Sequence, residues 1–142
     1  MSAAAESPIA ALARGQTVCV DTEGGSMFPV IRHGDRVTVA PFRRDPRVGD
    51  VVLAVVGGTW VLHRIVAVSA RDYMFRGDNR ADADLPLSPA QIVGHAQRTQ
   101  RGTRSMPLDW PESLGRLWVR VSPLSARVVG AVERLRRVRR GR

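Results

Sequence analysis

The sequence predicts a mainly β fold: a single β domain with short helices at its ends. Valine occurs in short apolar runs separated by glycine, proline and polar residues, a pattern typical of short strands. Gly57-Gly58 lies between two such runs and predicts a tight hairpin. The chain has 142 residues, of which 44% are hydrophobic and 25% charged, and this fits one compact domain with a modest core.

The predicted elements follow in chain order. Residues 6–14 form a short helix in this prediction, because Ser7 can cap it, Pro8 fits its first turn and Gly15 ends it. Strands are expected at 16–21, 36–40, 50–56, 59–69, 71–76 and 91–97. The stretch 77–89 contains three acids and two prolines and predicts a loop.

These elements divide the chain into four segments. They are an N-terminal segment with the short helix at 1–14, the β domain at 15–98, a linker at 99–122 and a basic amphipathic helix at 123–142. The linker is inferred from its content of Arg, Gly, Pro and Ser. The C-terminal helix is inferred from apolar residues at helical spacing: Leu124, Val128, Val132 and Leu135.

Charge and composition exclude several classes of protein. All 22 basic residues are arginine, and seven of them lie in 127–142 beside a single glutamate, in a chain of net charge +9. No run of about 18 apolar residues predicts a transmembrane helix, and the N-terminus lacks the pattern of a secretory signal. One cysteine, Cys19, and three scattered histidines predict neither a disulfide nor a metal site, and no cofactor is expected. We therefore expect a cytoplasmic protein.

Three segments contain residues suited to chemistry. Ser26 follows two glycines, where the backbone can turn sharply and a substrate can approach closely. His63 stands in an apolar strand, and an acidic loop contains Asp78, Asp82 and Asp84. Taken singly, each fits a structural role as well: a turn serine, a core histidine and a solvated acidic loop. Together they offer a nucleophile, a base and an acid that can orient the base.

Four motifs resemble those of the signal peptidase I family, in the order of that family and over roughly residues 15–97. GGSMFPVIRHGDRVTVAP resembles the serine box, VGDVVLAV and WVLHRIVAV resemble the next two boxes, and FRGDNRADAD with IVGHA resembles the last box and the closing strand. The resemblance implies a β domain of the signal peptidase and LexA type. It also implies a serine endopeptidase that needs no cofactor.

The chain has no lysine, which excludes the Ser-Lys dyad of the common bacterial branch and of the LexA-type repressors. The sequence instead resembles the endoplasmic reticulum and archaeal branch, in which histidine replaces lysine. That resemblance implies Ser26 as nucleophile, His63 as base, Asp84 as its orienting acid and Asp78 as a supporting acid. Asp82 remains an alternative to Asp84, because a small shift of the loop would exchange them.

The serine box also suggests oxyanion and substrate contacts at Gly25, Ser26, Met27 and Pro29. Where the family often has a serine two places before the nucleophile, this chain has Gly24. The sequence also predicts no N-terminal membrane anchor of the kind usual in the family. The expected substrate is a leader-type or signal-type peptide, or one specific precursor protein.

The alternative function is a catalytically weak module of the same fold that binds a membrane surface or nucleic acid through the arginine-rich tail. No helix-turn-helix pattern or aromatic stacking platform supports nucleic acid as a partner. For residues 123–142 two arrangements stay open. The helix either packs on the domain through its apolar stripe or contacts anionic lipid as a peripheral attachment.

Overall fold

The computed structural model describes residues 7–84 and 86–140, without the side chain of Val129. Its seven strands form one antiparallel sheet, which confirms the mainly β class. The strands are β1 Val18–Asp21, β2 Arg36–Ala40, β3 Val51–Val56, β4 Thr59–Val68, β5 Tyr73–Arg76, β6 Ile92–Arg101 and β7 Arg104–Pro107. The helices are α1 Pro8–Ala13 and α2 Glu112–Arg140, and one turn of 3-10 helix occupies Pro89–Gln91.

The order of strands across the sheet is β1-β2-β6-β3-β4-β5, and β7 pairs with β6 beside this path. The glycine pair predicted as a hairpin turn joins β3 to β4, with Gly57 at φ +58° and Gly58 at φ +78°. Such positive φ values favour glycine, because a side chain would clash with its own backbone. The order leaves β1 and β5 at the two ends of the path.

Valine and leucine from the central strands fill the main core. Val37, Val39, Val51 and Leu53 are fully buried, and α1 adds Leu12 to the same cluster. The side-chain oxygen of Ser7 accepts a hydrogen bond from the backbone of Ile9 and caps α1. Residues 1–6 of the predicted N-terminal segment lie outside the described residues.

The segment 99–122, predicted as a linker, is largely regular structure. Strand β6 continues to Arg101, β7 follows after a turn at Gly102, and α2 begins at Glu112. Hydropathy does not reveal this part of β6, because its inward residue Thr99 is fully buried yet polar and is satisfied by a hydrogen bond to Asp35.

Asp35 anchors the turn before β2 to this extension of β6. Its carboxylate accepts hydrogen bonds from the side chains of Thr99 and Arg101 and from the backbone of Arg32. Burial alone would raise the pKa of Asp35, but these hydrogen bonds outweigh it and hold the pKa below 3.8. These hydrogen bonds hold the end of the segment that carries Ser26 against β6.

Helix α2 runs along the outside of the sheet domain. Its Gly115 lies so close to Gly49 that a Cβ added to Gly115 would stand 3.0 Å from the Cα of Gly49. Further along, Arg76 donates hydrogen bonds to the carbonyl of Val119 and to the hydroxyl of Ser122. Neither helix of the described chain is long and apolar enough to cross a bilayer.

Candidate active site

Three side chains from distant parts of the chain meet at one end of the sheet. Ser26 lies in the segment between β1 and β2, His63 lies on β4, and Asp84 lies in the loop after β5. The Oγ of Ser26 is 3.3 Å from Nε2 of His63, and Nδ1 of His63 is 2.5 Å from Oδ2 of Asp84. One ring nitrogen thus faces a hydroxyl and the other a carboxylate, which is the arrangement that activates a serine.

The loop after β5 holds the serine segment as well as the acid. The backbone N–H of Asn79 donates to the carbonyl of Ser26 at 2.8 Å, and its side-chain amide donates to the carbonyl of Gly25 at 3.1 Å. A Cβ on Gly77 would lie 2.5 Å from the carbonyl oxygen of Ser26, so glycine is required for this approach. Sequence patterns did not identify Gly77 and Asn79 as site residues, although both lie in the quoted FRGDNRADAD motif.

His63 is held in an environment that favours its neutral form. It is 8% exposed, and the ring of Phe75 lies against it with the ring centroids 5.2 Å apart. Burial is the largest influence and lowers the pKa of His63 below 6.5, while the charge and the hydrogen bond of Asp84 oppose that change. A neutral imidazole can accept a proton from the neighbouring hydroxyl.

The structure separates the three acids of the loop. Asp84 contacts His63, whereas Asp82 is exposed. Asp78, expected as a supporting acid, is 1% exposed, and its two carboxylate oxygens accept hydrogen bonds at 2.8 and 2.9 Å from Arg64. Its negative charge still favours protonated His63, but only as the smallest influence on that pKa.

The pair of Arg64 and Asp78 supports the site from behind. Arg64 is fully buried on β4 next to His63, donates a third hydrogen bond to the carbonyl of Gly49 and lies over the ring of Trp110. Removing one member of such a buried pair typically costs about 3–5 kcal/mol, because the other charge stays buried without a partner. The pair therefore fixes the loop after β5 to β4, the strand that carries the histidine.

A cleft of about 380 Å³ opens beside Ser26 and His63. Its walls come from two stretches of chain, 21–31 and 59–63, and the lining residues include Thr22, Gly24, Ser26, Met27, Ile31, Trp60, Leu62 and His63. Of the predicted substrate contacts, Ser26 and Met27 line the cleft. Gly25 lines a neighbouring groove beside α2, and Pro29, which follows a cis peptide bond, lies outside the residues that line the cleft.

A second cluster of titratable groups lies around His95 on β6. Its Nε2 is buried without a hydrogen-bond partner among the described residues, 3.6 Å from Asp50 and 3.8 Å from Asp109. The side chains of these three residues lie close enough together to hold a metal ion. The sequence did not predict this cluster, because the three residues lie far apart along the chain. Arg44, however, already donates two hydrogen bonds of 2.8 Å to Asp50 and supplies the positive charge there.

The antiparallel sheet, with a serine, an imidazole and a carboxylate in line beside a cleft, places this chain among proteins with a peptidase fold. A family model described as Peptidase S24-like matches residues 4–96, and the chain belongs to that family. No match to a curated protein was found.

Proposed function

We propose that the protein is a serine endopeptidase in which Ser26 is the nucleophile, His63 the general base and Asp84 the acid that orients the base. The observation that carries this proposal is the continuous line from the Ser26 hydroxyl through the His63 ring to Asp84, with separations of 3.3 and 2.5 Å. Membership of the Peptidase S24-like family supports a hydrolase that cleaves peptide bonds.

The reaction follows from the positions of the three groups. The Oγ of Ser26 attacks the scissile carbonyl as Nε2 of His63 takes its proton, and Asp84 stabilises the resulting imidazolium. The backbone amide of Ser26 binds the oxyanion, and His63 then gives its proton to the leaving amine. In the second half, His63 removes a proton from water, which hydrolyses the acyl-enzyme and restores the free serine.

The histidine supports a mechanism of the Ser-His type, which is that of the branch the sequence resembles. The chain contains no lysine, and the partner of the Ser26 hydroxyl is an imidazole on β4. Membership of the endoplasmic reticulum and archaeal type is therefore part of this proposal. Asp84 strengthens it, because a Ser-Lys dyad has no need of a carboxylate on its base.

The cleft favours a substrate in extended conformation. Strand β1 ends the sheet on one side, and β4 pairs with β5 only from Arg64 onwards, so the described chain leaves Thr59–His63 with an open edge. Asp21, the last residue of β1, and all of Thr59–His63 line the cleft. A peptide can add as a strand to such an edge, with main-chain hydrogen bonds supplying affinity and side-chain pockets supplying selectivity.

The lining of the cleft points to an apolar segment as the substrate. Met27 and Ile31 are buried in its floor, and Trp60 and Leu62 come from β4. Such a lining suits the apolar stretch of a leader-type or signal-type peptide, or of one precursor protein matured at a single bond. We infer a processing enzyme, because side-chain pockets in such a cleft select among sequences.

A mixed peptide library tests the activity with no single substrate chosen in advance. The parent, Ser26→Ala and His63→Ala are incubated with a mixture of synthetic peptides that includes leader-type segments, and products are identified by mass spectrometry. Ser105→Ala, a serine exposed on β7, is the matched control. Cuts made by the parent and the control and lost in both site variants support the peptidase. Cuts that persist in Ser26→Ala, or no cut by any protein, refute it and favour the binding module.

A further inference from the structure

Helix α2 leaves its apolar stripe in solvent. Eight apolar residues that recur every three or four positions are between 39% and 65% exposed: Leu114, Leu117, Val121, Leu124, Val128, Val132, Leu135 and Val138. The side turned to the domain carries other residues, with Gly115 against Gly49, Trp118 against Trp110 and Ser122 fully buried. Of the two arrangements predicted from the sequence, packing through the apolar stripe is therefore wrong.

A row of arginines borders the stripe along one side. Arg120, Arg127 and Arg134 are seven residues apart, which is two helical turns, so they lie on the same side of α2. Each directly precedes a residue of the stripe, and this places the row about 100° around the helix from it. All three arginines are exposed. Apolar residues beside long cationic side chains are the pattern of a helix that lies in a lipid interface.

The charges argue against a second copy of the chain as the partner. In a parallel coiled coil these arginines would take g positions and face the residues five places later. Those residues are Ser125, Val132 and Arg139, none of which is acidic. In an antiparallel pair the arginine rows would face each other. Either arrangement leaves the positive charges without partners, whereas an anionic lipid surface neutralises all of them.

The stripe also borders the groove next to the candidate active site. Val128 and Val132 line this groove together with Phe28 and Gly25 from the serine segment. Gly24 lines both the groove and the cleft that contains Ser26. A surface that receives the stripe would therefore lie near the mouth of the cleft.

We infer that α2 docks the protein on an anionic lipid surface, with the apolar stripe inserted at the interface and the arginine row against the headgroups. The docking deepens the proposed function, because it would bring apolar leader segments emerging from a bilayer to the cleft. It is independent of catalysis and is measured without a substrate, so its failure and that of the peptidase proposal are distinguishable.

Vesicle sedimentation of the full chain tests the docking. The parent is mixed with vesicles of phosphatidylcholine alone or of phosphatidylcholine with phosphatidylglycerol, and we expect binding to the anionic vesicles only. Arg127→Gln/Arg134→Gln weakens this binding by about tenfold or more, because each basic residue near an anionic leaflet contributes separately. Arg71→Gln/Arg104→Gln has the same net charge, changes exposed arginines of the sheet domain and is the matched control.

A second pair of variants tests the apolar contribution. Leu124→Ser/Leu135→Ser abolishes binding, whereas Val56→Ser/Val68→Ser, which changes exposed valines of the sheet, leaves it unchanged. Circular dichroism of each variant verifies that the helix remains. The proposal is overturned if the parent stays in the supernatant, if neutral vesicles bind equally, or if control and helix variants weaken alike. Concentration-dependent dimers that Leu124→Ser/Leu135→Ser dissolves would instead assign the stripe to a second copy.

Discussion

Single residues in the loop after β5 have distinct roles although they are chemically alike. Asp84 lies against Nδ1 of His63, Asp78 is paired with the buried Arg64, and Asp82 faces solvent. Their neighbour Asn79 donates a hydrogen bond to the carbonyl of Ser26, and Gly77 leaves room for that carbonyl. The loop thus positions both the nucleophile and the base. A substitution of one residue in the loop can affect the position of one of these two groups without affecting the other.

Asp84→Asn is expected to lower kcat/KM by on the order of a thousandfold or more, because the amide cannot stabilise the imidazolium and favours the wrong tautomer. Asp82→Asn is the matched control. It makes the same chemical change two residues away at an exposed position and should leave kcat/KM within about twofold. The assay is cleavage of the peptide identified with the parent enzyme. Equal losses in the two variants would contradict the assignment of Asp84.

Residue chemistry was sufficient to propose Ser26 and His63, whereas the choice of Asp84 over Asp82 rested on the family resemblance and left Asp82 as an alternative. The serine and histidine lie in motifs of fixed local structure, a glycine turn and a largely apolar strand. The acid depends on how a loop without periodicity folds back, and Asp84 reaches His63 partly because its backbone N–H bonds to the carbonyl of Phe75. Composition and periodicity contain no such information.

Among the elements, the strands rich in apolar residues were predictable and β7 was not. Strand β2 occupies the predicted residues 36–40, and β3 and β4 differ from prediction by one residue at a single end. Strand β7 is exposed over most of its length, so hydropathy contains no signal for it. The long helix was predicted only in its C-terminal part, since its first turns carry the small residues that face the domain.

Two glycines of α2 should respond in opposite directions to the same substitution. Gly115→Ala places a Cβ 3.0 Å from the backbone of Gly49 and should lower the free energy of unfolding by about 1 kcal/mol or more. Gly130→Ala meets nothing within 4 Å and should raise it by up to about 1 kcal/mol, because alanine favours helix. Urea unfolding followed by circular dichroism measures both. Stabilisation by both substitutions would show that α2 does not pack against Gly49.

The whole molecule combines charged surfaces with a few buried titratable groups, and the buried groups control its response to pH. His63 and His95 are 8% and 5% exposed, and burial is the largest influence that lowers the pKa of each below 6.5. The buried carboxylates Asp35 and Asp50 have pKa values held below 3.8 by their hydrogen bonds. The histidines therefore act in a pH range where those carboxylates stay ionised in both the folded and the unfolded chain.

Stability should therefore fall as the pH is lowered from about 7.5 to about 5. In that window the unfolded chain, with histidine pKa values near 6.5, binds protons that the folded chain resists. The stabilisation that comes from neutral His63 and His95 is fully present above pH 6.5. It is lost as the pH falls through the lower pKa values that these histidines have in the folded chain. Urea unfolding at both ends of the window measures the slope. His63→Gln and His95→Gln should each remove part of this pH dependence, and the double variant should remove nearly all of it, since glutamine does not titrate. A parent protein whose stability does not depend on pH would contradict the assignment to these two side chains. A double variant with the same slope as the parent would contradict it as well.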